Sequence, residues 1–246
     1  MQIDIEALER ATLDAVAPPE IVEIDGWLLP LDRSTIGRAI SAVPIRHDAL
    51  LPQQIDEIET IYRSYGLHTQ FRMPDQDSCR NMHAVLELKG YRPVQPTLVQ
   101  VATANTNLSS TPQSPVQISA EPSMEWKSVY LANGFDPVDG ANRIKALSRS
   151  VFVQYAHIND GSTPVASGTA SCSHGWVGLH GMRTIPQARG RGLATAIINA
   201  LIKDALRAGP KNLYLQVEEA NTGAVRLYRG MGFSTAWRYH YWKKSI

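Results

Sequence analysis

The sequence predicts an α/β fold with a mixed sheet, and three features carry that reading. Segments with helix and strand periodicity alternate along both halves of the chain. A polar stretch without period, ATANTNLSSTPQSPVQ, lies between the halves. In the second half an extended segment, WVGLHGMRT, passes through a glycine-bearing loop into a long helix with one apolar face, which is one turn of an α/β unit.

With 246 residues and a 43% hydrophobic fraction, the chain can bury a sizeable core in one large domain or two small ones. The formal net charge of +1 gives no global pull toward nucleic acid or an anionic membrane. Cys79 and Cys172 match no metal or redox spacing and read as buried hydrophobes in a reduced setting. The opening MQIDIEALERATLDAVAPPE is acidic and amphipathic, unlike a signal peptide. No apolar run approaches the ~18 residues of a membrane span. The expectation is a soluble, cytoplasmic chain divided into 1–103, a linker at 104–115, and 116–246.

Each element has its own signal. Ile3, Ile5, Leu8, Leu13 and Val16 form a helical stripe that stops at Pro18 and Pro19. PQQIDEIETIYRSYG places Ile55, Ile58, Ile61, Tyr62 and Tyr65 on one side of a helix, with Gly66 as its stop. CRNMHAVLELKGY reads as a helix ending near Gly90, and TLVQVA as a strand. After the linker come a strand, VQISA, and helical segments at 126–132 and 142–149. VFVQYAHI turns at NDGS to pair with PVASGTASC as a hairpin. The helix after the glycine loop presents Leu193, Ile197, Ile198, Leu201, Ile202, Ala205 and Leu206 inward and ends at Gly209 and Pro210. NLYLQV, NTGAVRLYRGMG and FSTAWRYHYWK close the chain as strand, helix and strand.

The glycine loop carries the chemistry. The first N–H groups of a helix lack partners and its dipole is positive there, so glycines that let a ligand approach make an anion site. Arg189 and Arg191 add charge at the rim. A P-loop would need a lysine, and none follows Gly192 until Lys203. A dinucleotide fingerprint would need a third glycine where Thr195 stands, and its acid would be Glu218, too far on. The pattern Arg-x-x-Gly-x-Ala fits at every position: Arg189, Gly190, Arg191, Gly192, Leu193, Ala194. The plain alternative is a glycine turn with solvated arginines.

A second pattern follows downstream: Asn221-x-x-Ala224-x-x-Leu227-Tyr228-x-x-x-Gly232-Phe233. Asn221 and Tyr228 lie nearly two turns apart and face the same way, and Asn221 is a good helix cap. In their order and spacing the two patterns resemble the GNAT superfamily of N-acyltransferases across residues 116–243. The resemblance implies the acyl-CoA N-acyltransferase fold. It implies acetyl-CoA as donor, with the pyrophosphate on the Arg189 and Gly190 loop and the amides of Arg191, Gly192, Leu193, Ala194 and Thr195. Backbone near Met182, Arg183 and Thr184 would hold the cofactor arm, and a backbone N–H on the Met182 strand would meet the oxyanion. Tyr228 would protonate the leaving thiolate; Asn221 would cap, contact the ligand, or both. No metal is implied.

The general base stays open. Many members of the superfamily carry an acid about where Gly178 falls. His180, two residues on and on the same strand face, is one candidate. Glu218 and Glu219 are others, as is a relaying water. The acceptor implied is a primary amine on a small molecule, an amino acid or a peptide N-terminus; the chain would be a monomer or homodimer. An acyl-CoA sensor without turnover is the rival, and an NAD-dependent dehydrogenase a distant third.

The end of the first half, MHAVLELKGYRPVQPTLVQVA, echoes AVRLYRGMGFSTAWRYHYWK. Aligning Gly90 with Gly232 sets Leu86 where Tyr228 stands and Cys79 where Asn221 stands. No glycine-rich loop precedes the 55–65 helix. GWLLPLDRS and YRSYGL also resemble the N-terminal region of bacterial two-module members. The resemblance therefore implies two GNAT-like modules in tandem, the first degenerate, shaping the acceptor pocket or stabilising the pair. Asp25, Trp27 and Arg72 are the residues expected to line such a pocket.

Overall fold

A computed structural model describes residues 3–48, 50–104, 115–150, 152–209 and 212–244. In chain order its main elements are α1 (Ile5–Val16), β1 (Glu20–Ile24), β2 (Trp27–Leu31), α2 (Gly37–Ile40), β3 (Val43–Pro44), α3 (Gln54–Ser64), β4 (Phe71–Pro74), α4 (Arg80–Leu88) and β5 (Tyr91–Thr103). There follow β6 (Gln117–Ser119), α5 (Met124–Tyr130), α6 (Pro137–Leu147), β7 (Val153–Asp160), β8 (Thr163–Ser173), β9 (Trp176–Thr184), α7 (Leu193–Ala205), β10 (Asn212–Glu218), α8 (Thr222–Gly230) and β11 (Ser234–Lys244). Among the described residues no helix is long and apolar enough to cross a membrane.

The chain divides into two compact units: residues 1–13, 18–100 and 216–246 form one, and 14–17 and 101–215 the other. These units do not coincide with the linear division at 104–115. Residues 216–246, which carry Asn221 and Tyr228, group with the first half of the chain because β11 pairs antiparallel with β4. Most of the expected linker, 105–114, lies outside the described residues.

In the first unit β1, β2 and β3 make a small antiparallel sheet, and β4, β11 and β5 are neighbours in that order. Its core gathers Trp27, Ile55, Ile58, Tyr62, Phe71 and Tyr91. The Phe71 ring stands edge-on to Trp27 at 6.0 Å and to Tyr91 at 5.2 Å, a geometry aromatic quadrupoles favour. The echo between the halves has a structural counterpart: α4 and α8 both end on a left-handed glycine, Gly90 at φ +86° and Gly232 at φ +90°. Only one of them has a side-chain cap at its start. Asn221 Oδ1 accepts from Ala224 N at 3.2 Å, while Cys79 caps nothing.

In the second unit the strand order is β10-β9-β8-β7-β6. β6 to β9 are antiparallel and β10 runs parallel to β9, which makes the sheet mixed. The hairpin read at NDGS is β7–β8. α5 packs on β8 and α7 on β7, β8 and β9. Trp126, Tyr130, Leu147, Val153 and Tyr155 form a second apolar cluster beneath α5 and α6. Polar caps start both of these helices: Ser123 Oγ accepts from Trp126 N, and Asp136 Oδ1 from Val138 N and Asp139 N. With Pro137 at its first turn, α6 begins earlier than the 142 expected from periodicity alone.

Candidate active site

The second unit holds β9, the loop and α7. β9 pairs with β10 from Trp176–Asn212 to Leu179–Leu215 and runs on to Thr184, where β8 still pairs with it. On its other edge the register with β8 slips: Ser167 faces Arg183, but Thr169 faces His180. Gly181 and Met182 therefore stand opposite Gly168, a β-bulge. Gly181 sits at φ +60°, a conformation side chains rarely adopt. A Cβ there would also fall 2.4 Å from Tyr130 Oη.

Beyond β9 the loop turns through Gly190 at φ +76° and Gly192 at φ +73°. A Cβ built on either would meet no atom within 4 Å, so the space above both is open. Gly192 is the N-cap of α7 and supplies no side-chain cap, unlike the residues that start α5, α6 and α8. The first amides of α7, on Leu193, Ala194 and Thr195, have no intrahelical partner by helix geometry. With the positive end of the helix dipole, these amides suit an anion of phosphate chemistry. Arg191 lies beside them in an exposed ion pair with Asp160 at 2.7 Å, and Arg189 Nε reaches the Thr184 carbonyl at 3.4 Å. Arg183 is different: its guanidinium pairs with Asp139 at 2.5 Å and lies over the Tyr130 and Phe135 rings. Its side chain is a packing element, which leaves only its backbone for a ligand.

His180 does share the β9 face with Gly178. A Cβ on Gly178 would lie 2.3 Å from His180 Nε2 and 2.6 Å from the Tyr214 ring, so these two side chains fill the place of an acid. His180 is buried and its Nε2 lies 3.3 Å from Tyr214 Oη.

The remaining candidates belong to the first unit. Asn221 caps α8. Tyr228 is buried against Phe233, and desolvation pushes its phenol up to about 12. Glu218 accepts a hydrogen bond from Gln95 at 2.6 Å, and Glu219 faces Arg238 at 3.4 Å; both are exposed. Two of the three residues expected to line a pocket in the first half do not. Trp27 is fully buried in the core, and Arg72 is buried in an ion pair with Glu9 at 2.6 Å. Only Asp25 lines a hollow, where it pairs with Arg46. Among the described residues no cluster of His, Cys, Asp and Glu could hold a metal ion.

A family model described as "Probable histone acetyltransferase Rv0428c C-terminal" matches residues 3–242. The chain belongs to this acetyltransferase family. The acetyltransferase is 28% identical over 252 residues to the uncharacterized N-acetyltransferase YobR of Bacillus subtilis, covering 97% of this chain and 98% of that one. In fold it is similar to a GCN5-related N-acetyltransferase from Kribbella flavida, with a TM-score of 0.73, 15% identity, and coverage of 100% and 97% of the two chains. A tandem GNAT protein from the clavulanic acid biosynthesis pathway superposes with a TM-score of 0.63 at 13% identity, over 97% of this chain and 94% of that one. The chain thus has the GNAT fold and is an acetyltransferase by family.

Sequence reasoning missed the shell around the bulge. Trp126 Nε1 donates to Gly168 O at 3.1 Å, Tyr130 Oη to Gly181 O at 2.5 Å, and Thr169 Oγ1 to His180 O at 3.0 Å. The only signal in the sequence was the four-residue spacing of Trp126 and Tyr130, which puts both on one face of a helix.

Proposed function

We propose that this acetyltransferase moves an acetyl group from acetyl-CoA to a primary amine by direct attack, without a covalent enzyme intermediate. One observation carries the reading: an α-helix that starts on an open left-handed glycine with no side-chain cap, preceded by a second open glycine and flanked by two arginines. Those features fit a pyrophosphate. Acetyl-CoA, when bound, supplies the activated acetyl group as a thioester. The amides of Arg191 to Thr195 hold the diphosphate, and Arg189 and Arg191 pair with its oxygens, Arg191 giving up Asp160 to do so.

The chain's other residues take roles from their positions in the motifs. The backbone of Met182, Arg183 and Thr184 holds the cofactor arm, and the Met182 N–H donates to the oxygen on which charge develops. His180, standing where an acid would be, takes the proton of the attacking amine; Glu218 and Glu219 are engaged with Gln95 and Arg238. Tyr228, with its phenol raised to about 12, keeps its proton at neutral pH and can give it to the departing thiolate. Holding the amine against the thioester supplies much of the acceleration. The acceptor is a small molecule, an amino acid or a peptide N-terminus.

Thiol release from acetyl-CoA across a panel of amines and amino acids tests the reading, with Tyr228→Phe as the diagnostic variant. The expected outcome is a fall in kcat of about 10²-fold or more with acetyl-CoA affinity retained. An unchanged kcat removes Tyr228 from the mechanism. A chain that neither binds acetyl-CoA nor releases thiol with any amine overturns the donor assignment.

A further inference from the structure

The β9 bulge is held by side chains rather than by the strand ladder. Three carbonyls at the slip in register accept from Trp126, Tyr130 and Thr169. The contact with the shortest distance is Tyr130 Oη to the Gly181 carbonyl at 2.5 Å, where Tyr130 is fully buried and Gly181 half-buried. Gly181 is confined around it. Its φ of +60° suits glycine, and a methyl group there would collide with Tyr130 Oη at 2.4 Å and Leu147 Cδ1 at 2.8 Å.

A peptide unit is a rigid trans plane, so its C=O and N–H point in opposite directions. The carbonyl of Gly181 shares its plane with the N–H of Met182. A hydroxyl that fixes the first therefore aims the second, away from the Tyr130 ring. The carbonyl of His180, held by Thr169 Oγ1, fixes the N–H of Gly181 in the same way. Hydrogen bonds along one amide also polarise each other, which makes Met182 N–H a better donor. Tyr130 is itself held: the Arg183 guanidinium lies 5.2 Å from the centre of its ring and is fixed by Asp139 on α6.

We propose that Tyr130 is a positioning residue of the acetyl transfer, donating its phenolic hydrogen to the Gly181 carbonyl and so aiming the Met182 amide at the acetyl carbonyl. Thr169 supports the same geometry one peptide earlier. The inference rests on the proposed role of the Met182 N–H and extends the site to α5.

The test compares wild type, Tyr130→Phe and Tyr155→Phe. Tyr155 is a control because its hydroxyl also donates from the same apolar cluster to a carbonyl, that of Leu147 at 2.7 Å, which is not one of the carbonyls at the slip in register. The measurements are Tm, affinity for CoA, and the infrared carbonyl stretch of bound acetyl-CoA labelled with 13C at the carbonyl. The proposal expects both variants to lose similar stability and to keep CoA affinity within about twofold of wild type. Only Tyr130→Phe should lose roughly half or more of the downward shift of the carbonyl band on binding. Thr169→Val, of the same shape, should reduce that shift too and serves if Tyr130→Phe does not fold. An undiminished shift in Tyr130→Phe, or an equal loss in Tyr155→Phe, overturns the positioning role. A wild-type protein that binds CoA with no shift of the carbonyl band overturns it as well, leaving the diphosphate site standing. One that binds neither ligand overturns the donor assignment together with this proposal.

Discussion

Two separate costs attach to any side chain at Gly192. The backbone at φ +73° disfavours L-residues by about 1–2 kcal/mol, and a side chain would project into the open space where a diphosphate is proposed to lie. Gly192→Val should therefore lower stability by about 1–2 kcal/mol in urea unfolding. Its affinity for CoA, read by calorimetry, should fall by roughly tenfold or more. A variant that loses the stability and keeps the affinity would mean that the glycine serves the turn alone. Arg191 has less to lose in the unliganded protein. Its ion pair with Asp160 is about half exposed, the kind of pair that contributes at most about 1 kcal/mol and is screened by salt.

Arg72 on β4 and Glu9 on α1 show how an element can be fixed by charge in a core. Burial pushes the Glu9 carboxyl up, and the Arg72 guanidinium 2.6 Å away pulls it back. The same guanidinium lies 5.3 Å from the centre of the Tyr239 ring of β11. Arg72→Met leaves a buried carboxylate without its cation and should cost about 3–5 kcal/mol in denaturant unfolding, most of it recovered by adding Glu9→Leu. A single variant as stable as wild type would contradict the pairing. None of this was legible in the sequence, where Arg72 resembled a pocket residue and FRMP and WLLPL gave no alternation to mark them as strands. Both are buried along their whole length, and a fully buried strand has no polar face to set a period. α7 and α8 were legible for the opposite reason: each has one wet face, a glycine stop and motif residues at helical spacing. The bulge of β9 depends on its register with β8, which no single segment encodes.

Across the whole molecule, buried phenols set the response to alkali. Burial raises Tyr130, Tyr155 and Tyr228, with Tyr155 and Tyr228 at about 12, and also Tyr62, Tyr91 and Tyr239. The unfolded chain sheds these protons from about pH 10, whereas the folded chain holds them to higher pH. The unfolded state then binds fewer protons, so stability, complete below pH ~10, should fall as pH rises from there toward 12. Thermal unfolding against pH, followed with tyrosinate absorbance, checks this; a flat profile over that range would contradict it. The division into two units, with residues 216–246 grouped with the first half, arises from the pairing of β11 with β4 and was hidden from a linear reading. What the sequence did carry was the loop into α7, and the proposed function depends on it. The most direct measurement is the backbone amide spectrum of the 15N-labelled protein during titration with CoA. The N–H signals of Gly192, Leu193, Ala194 and Thr195 should move downfield together and saturate with the binding curve. If CoA binds and those amides stay where they are, the diphosphate is held elsewhere and the account fails.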